Sequence, residues 1–191
     1  MGLAPSPGCK DPDLPKSSGS AADVPGAIIV MGVSGCGKST LGALLAEALD
    51  CVFLEGDMFH SPEAVEKMRA GHALTDADRW PWLDRLGAAA AEAVSRDGRV
   101  VVACSALRLA YRDRLRAAIG DGARFVLLEA SRENLFARLG NRPGHYMPPS
   151  LLDSQLATLE APMVGEHVVV LASEEAPEIL RDRVLRELRP A

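Results

Sequence analysis

The sequence predicts a three-layer α/β/α protein built on a five-stranded parallel sheet, and three observations carry that expectation. Five short apolar runs recur with almost no internal alternation, as strands of a sheet covered on both faces require. Stretches with helical apolar spacing lie between those runs. Strand and helix patterns also alternate along the chain, which implies right-handed βαβ units and a doubly wound sheet.

The elements follow in order. Residues 1–25 hold five prolines and four serines and few large apolar side chains, so burial cannot offset the entropy of ordering them; residues 1–26 are expected to be a disordered tail. Residues 27–191 are expected to form one domain, which suits a chain of 191 residues. The first strand is Ala27-Ile28-Ile29-Val30-Met31, and the others are Cys51–Leu54, Val100–Ala103, Phe125–Leu128 and Val168–Leu171. Leu41, Leu44, Leu45, Ala48 and Leu49 mark the buried stripe of a first helix. Ser61-Pro62-Glu63 has the cap, the first-position proline and the early acid of a second. Leu83, Leu86, Ala90 and Val94 form a further stripe, and helices are expected over 107–119, 131–139, 150–159 and 177–188.

Composition removes several classes of function. The formal net charge of -5 argues against a broad nucleic-acid or anionic-membrane footprint, so an anionic substrate needs local cations. Cys9, Cys36, Cys51 and Cys104 lie far apart without a C-x-x-C pair, and no zinc spacing appears. No apolar run reaches membrane-spanning length, and the N-terminus lacks the apolar stretch of a secretory signal. Reduced thiols and a cytoplasmic setting are the expectation.

One motif carries definite chemistry. Gly32-Val33-Ser34-Gly35-Cys36-Gly37-Lys38-Ser39 matches G-x-x-x-x-G-K-[ST] in full, after an apolar strand and before an amphipathic helix. Its glycines let the backbone aim N–H groups at phosphate oxygens, and the helix N-terminus adds its positive dipole end. Gly32, Ser34, Gly35, Cys36, Gly37, Lys38, Ser39 and Thr40 are therefore the nucleotide-binding candidates. Lys38 should reach the β- and γ-phosphates of ATP, and the Ser39 hydroxyl should ligate Mg²⁺. Cys36, inside this loop and near Lys38, is expected to alkylate faster without nucleotide than with it.

Nucleotide-driven switches usually close a strand with an acid, but here the third strand runs into Cys104-Ser105-Ala106-Leu107. The carboxylates instead follow the second strand, at Glu55-Gly56-Asp57. That spacing suits one acid near the metal's water shell, Glu55, and one near an acceptor hydroxyl, Asp57. A polar strand-to-helix turn is the structural alternative for both.

Taken together the motifs resemble those of the gluconokinases, small P-loop kinases akin to shikimate and nucleoside-monophosphate kinases. The resemblance spans nearly everything from Ile28 to Ile179. It rests on Leu54-Glu55-Gly56-Asp57 with His60, Glu66-Lys67-Met68 with Gly71, and Leu74-Thr75-Asp76-Ala77-Asp78-Arg79 with Pro81-Trp82-Leu83. It continues through Cys104-Ser105-Ala106-Leu107 with Tyr111-Arg112-Asp113, Gly144-His145-Tyr146-Met147-Pro148, and Ser154-Gln155 with Thr158-Leu159-Glu160. It implies a P-loop fold with a lid segment, transfer of the γ-phosphoryl of ATP to the 6-hydroxyl of D-gluconate, and a homodimer.

Gluconate is a polyhydroxylated anion, so its site needs a cation and several hydrogen-bonding groups. Lys67 and Arg79 are available for the carboxylate, and His60, Ser105, His145 and Gln155 for hydroxyls. Each has a structural alternative: a solvated helix charge for Lys67, pairing with Asp76 or Asp78 for Arg79, a turn cap for His60 and plain surface for Gln155. His72 and His167 read as surface residues. Arg138 and Arg142 flank Gly140-Asn141, before Pro143-Gly144, in a segment that reads as a lid. The resemblance puts Arg138 by the adenine and makes Arg142 the candidate for transition-state charge; helix-end charges are the alternative. Two departures stand out: many relatives have Asp-Gly-Asp at Glu55-Gly56-Asp57, and often a lysine where Pro143 stands. Trp82 reads as a core residue at the start of its stripe and not as a sugar platform. The other readings are a kinase of another sugar acid, shikimate or a nucleotide, and, from a different class, a nucleotide-hydrolysing switch. An N-K-x-D element for guanine is absent from the sequence.

Overall fold

The computed structural model describes residues 26–140 and 149–189. Five parallel strands lie in the order β2-β3-β1-β4-β5: β1 Ala27–Met31, β2 Val52–Glu55, β3 Val100–Ala103, β4 Ala123–Glu129 and β5 Val168–Ala172. Every residue of β1 and β3 is buried, which is why their sequences read as unbroken apolar runs. The Gly26 carbonyl already accepts from the Val100 N–H at 2.9 Å, and the rest of the expected tail lies outside the described residues.

Seven helices cover the sheet among the described residues: α1 Lys38–Ala48, α2 Pro62–Arg69, α3 Asp76–Asp97, α4 Leu109–Ile119, α5 Arg132–Gly140, α6 Pro149–Thr158 and α7 Pro177–Glu187. Alternate strand residues feed two cores. Ala27, Ile29 and Met31 face Trp82, Leu83, Leu86 and Leu115 of α3 and α4. Ile28 and Val30 face Leu41, Leu45, Leu135, Leu152, Leu180 and Val184 on the other side. The stripe on α1 is shifted from the expected one. Leu41 and Leu45 are buried, but Gly42 and Ala46 join them while Ala48 is exposed, because the helix turns its small residues toward Phe53. Ser61 caps α2 as expected, its hydroxyl accepting from the Ala64 N–H. α3 begins well before Leu83, where Thr75 and Asp78 form a reciprocal capping box. Trp82 consequently sits inside the helix, fully buried, donating its Nε1–H to the Gly56 carbonyl at 2.7 Å.

Candidate active site

Strand register assembles the site. Glu55, Ala103 and Val30 pair side by side at the carboxyl edge of β2, β3 and β1, so the turns that follow emerge together. The first is the loop Gly32–Gly37. Gly32 has φ 135°, and a Cβ there would stand 2.7 Å from the Leu128 carbonyl and 2.9 Å from Cys36 Sγ, so only glycine fits. Its N–H donates to the Ser105 carbonyl at 3.2 Å. α1 then starts at a left-handed Gly37 with no side-chain cap and no acid in its first turn. By contrast α2 and α3 are capped by Ser61 and Thr75. The uncapped N–H groups of α1 therefore face a cleft of about 380 Å³ as ready anion donors.

The cleft is lined by the loop from Ser34 to Leu41, including Ser39 and Thr40, and by Asp57. Lys38 folds back, its Nζ donating to the Val33 carbonyl at 3.0 Å. Leu139, Leu180 and Pro177 also line it, with Arg138, Ser173 and Glu175 supplying polar groups. Arg138 is held there by donating to Ser173 Oγ at 3.0 Å and to the Ser173 carbonyl at 2.6 Å. An apolar slot with a few fixed polar groups, continuous with a phosphate cradle, has the shape and chemistry for a nucleoside triphosphate.

Asp57 comes to the cleft through the 3-10 turn Gly56–Phe59. A Cβ on Gly56 would meet the Ala103 carbonyl at 2.3 Å, so glycine lets this turn lie directly on β3. The charges converge on one buried reporter. Burial pushes the Cys104 thiol up to about 12, the carboxylates of Asp57 and Glu55 add to that, and Lys38 opposes it. Among the described residues no group of three or more His, Cys, Asp or Glu side chains gathers to hold a metal unaided. The Ser39 hydroxyl lines the cleft as an oxygen donor of the kind a hard ion takes alongside phosphate and water.

A second polar cluster joins α3 to the start of α4. Arg79 donates to Tyr111 Oη at 3.2 Å, the Tyr111 hydroxyl donates to Asp76, and Arg108 donates to Asp76 at 2.7 Å. Arg79 and Arg108 both lie over the Tyr111 ring, 5.6 and 5.9 Å from its centroid, and Arg79 is 3.8 Å from Asp76. Two guanidinium groups share one carboxylate, which leaves a net positive charge. His60 stacks on Trp82 at 4.2 Å with its Nδ1 buried and without a protein partner. Burial holds its pKa below the ordinary histidine value; Asp57 opposes that shift, and Arg79 and Arg85 reinforce it.

Several expected roles change. Lys67, expected for a substrate carboxylate, pairs with Asp78 at 2.5 Å, because the capping carboxylate of α3 faces back over the turn that ends α2. Hydrogen bonds from Lys67 and Thr75 hold the Asp78 carboxyl below its usual range. Gln155, expected among the groups for acceptor hydroxyls, touches the P-loop: its Oε1 accepts from the Ser34 N–H. Cys36 is 1% exposed, tucked beneath Gly32, which corrects the expectation of a reactive thiol. Ser105 contacts the P-loop through its carbonyl and stands at the end of β3. Arg142 and His145 lie outside the described residues. His72 and His167 are exposed. Sequence reasoning missed Arg108 and Asp76 as site residues and gave Tyr111 no role. The available signal was a cation five residues past the end of the apolar strand Val100–Ala103.

Comparison with known proteins agrees with this geometry. Residues 28–162 match the AAA domain family. The chain is 44% identical over 164 residues to a gluconokinase of Gluconobacter oxydans, covering 85% of this chain and 90% of that one. It is 40% identical over 184 residues to a gluconokinase of Arabidopsis thaliana, covering 88% and 97%. The crystal structure of a gluconokinase from Sinorhizobium meliloti superposes with a TM-score of 0.78 at 44% identity, covering 87% and 93%.

Proposed function

The chain belongs to the gluconokinase family of P-loop kinases, and from that premise we propose that it phosphorylates D-gluconate at the 6-hydroxyl, giving 6-phospho-D-gluconate and ADP. The observation that carries the reading is a single cleft lined by both Asp57 and the P-loop.

In this reading the backbone N–H groups of the loop and of the first turn of α1 bind the phosphates of ATP. Lys38 leaves the Val33 carbonyl for the β- and γ-oxygens, and Arg138 lies at the base end. Mg²⁺ beside Ser39, with Glu55 toward its water shell, would offset the charge of the β- and γ-phosphates. Asp57 orients the 6-hydroxyl in line and takes up its proton. Arg79 and Arg108 hold the carboxylate of the acceptor, while neutral His60 and Ser105 serve its hydroxyls. Arg142 and His145, from the lid segment, complete the proposal as transition-state and sugar contacts. A cytoplasmic homodimer belongs to the same proposal. Among the described residues no helix is long and apolar enough to cross a membrane.

Release of ADP from Mg-ATP, measured with and without gluconate, tests this directly. Turnover should require gluconate. Slow release that ignores the sugar would make the protein a nucleotide-hydrolysing switch, and turnover with shikimate in place of gluconate would move it to another acceptor.

A further inference from the structure

Ser34 stands on the P-loop, and its N–H donates to Gln155 Oε1 at 2.7 Å across 121 positions of sequence. Gln155 belongs to α6, whose far end is tied down separately. The Glu160 N–H donates to the Leu107 carbonyl at 2.8 Å, and the Glu160 carboxylate accepts from the Leu109 N–H at 2.7 Å. Arg112, fully buried, donates to the Glu160 carbonyl at 3.2 Å. The same β3–α4 junction receives the start of the P-loop, through Gly32 N–H and the Ser105 carbonyl. P-loop, junction and α6 thus close a ring of hydrogen bonds.

We propose that Gln155 is a positioning residue of the nucleotide site: it holds the Ser34 amide, and with it the P-loop, in the shape that receives phosphate. A loop with left-handed glycines at 32, 35 and 37 has many alternative shapes open to it. Ordering it only at the moment of binding would weaken affinity, whereas a preset acceptor removes part of that cost. The acceptor's chemistry fits the task. An amide oxygen can hold an N–H beside a polyphosphate without adding negative charge, which a carboxylate at the same reach would do. The inference rests on the P-loop alone and not on the identity of the acceptor substrate.

The test uses the full chain with no sugar present. Mg-ADP affinity is measured by calorimetry, and exchange of the Ser34 amide hydrogen by NMR, in the wild type, Gln155→Met and Gln155→Glu. Met matches the length of Gln without the acceptor. It should unprotect the Ser34 amide and weaken Mg-ADP roughly 3- to 10-fold, the range of one lost hydrogen bond. Glu keeps the acceptor, so the Ser34 amide should stay protected while the added charge weakens the nucleotide. Nucleotide affinity within about twofold of wild type in Gln155→Met, below the effect of one hydrogen bond, would overturn the proposal. Tighter nucleotide binding in Gln155→Met would overturn it too, since the bond would then be competing with phosphate. Should Gln155→Met fail to fold, loss of Ser34 protection in Gln155→Glu would overturn it independently.

Discussion

The Arg112 guanidinium, 0% exposed, donates through Nε and Nη2 to the two carboxylate oxygens of Glu166 at 2.6 and 2.9 Å. Glu166 itself is only 7% exposed and also accepts from the Met163 N–H. This pair fastens the segment between α6 and β5 to α4. Glu166→Gln leaves a buried guanidinium without its counter-charge, which costs about 3–5 kcal/mol. Equilibrium urea unfolding at neutral pH should show that loss. The sign with pH follows from the carboxyl being held below 4.5 in the fold, chiefly by its hydrogen bonds from Arg112. Its stabilising share is complete above about 4.5 and disappears as pH falls through the lower folded value, since the unfolded chain takes the proton first. The acid limb of the stability curve should therefore be shallower in Glu166→Gln than in the wild type.

Cys36 should resist alkylation whether or not nucleotide is bound. Its sulfur lies under Gly32 against the core that holds Ile28, Val30 and Leu41, and burial denies reagent access regardless of nearby positive charge. Mass-spectrometric mapping of iodoacetamide adducts over time, with an unfolded control, checks this. Fast labelling that Mg-ATP suppresses would mean that the loop opens enough to expose the thiol.

Arg108→Gln should raise the gluconate KM roughly tenfold, as expected for a lost hydrogen bond to a charged group, while nucleotide affinity holds. Tyr111→Phe should act in the same direction more weakly, because it releases Arg79 and Asp76 from the shared hydroxyl without removing a charge. The discriminating comparison is an acceptor lacking the carboxylate, such as a neutral polyol. If both variants lose as much with the polyol as with gluconate, the cluster is scaffolding and does not read the anion.

Local features of this fold were legible from sequence and distant pairings were not. The strands were readable because β1 and β3 are buried on both faces, which leaves no polar residue to break the pattern. The phosphate loop was readable because eight consecutive residues carry its chemistry. The Lys67–Asp78 pair was not legible because the partner is a capping carboxylate eleven residues away, and sequence does not show which of Asp76 and Asp78 folds back over the turn. The Gln155–Ser34 contact was hidden for the same reason, since nothing near Gln155 signals a P-loop amide 121 positions earlier. Cys36 failed differently. Its neighbours in sequence are cations and amides, but its neighbours in space are Gly32 and the apolar core.

Asp57 gives the sharpest test of the proposed chemistry. Its side chain is exposed to the cleft, and among the described residues nothing hydrogen-bonds its carboxylate, so the fold does not depend on it. What holds the turn is backbone: Gly56 lies against the Ala103 carbonyl and accepts from Trp82 Nε1, contacts that a change at 57 leaves alone. Asn has nearly the same shape, yet it cannot accept a proton, and its NH₂ donates where a hydroxyl needs an acceptor. Asp57→Asn should therefore lower kcat at least roughly 100-fold, within the 10²–10⁴ range of general-base removal. The transition state of phosphoryl transfer is loose, so part of the loss can come from a mispositioned hydroxyl; the magnitude serves either cause. Nucleotide Kd, measured by calorimetry without gluconate, should stay within a few-fold, because the P-loop amides and Lys38 are untouched. Near-normal kcat would make Asp57 a turn residue with no part in the chemistry. Collapse of nucleotide binding as well would assign it to the metal side of the site, beside Ser39 and Glu55.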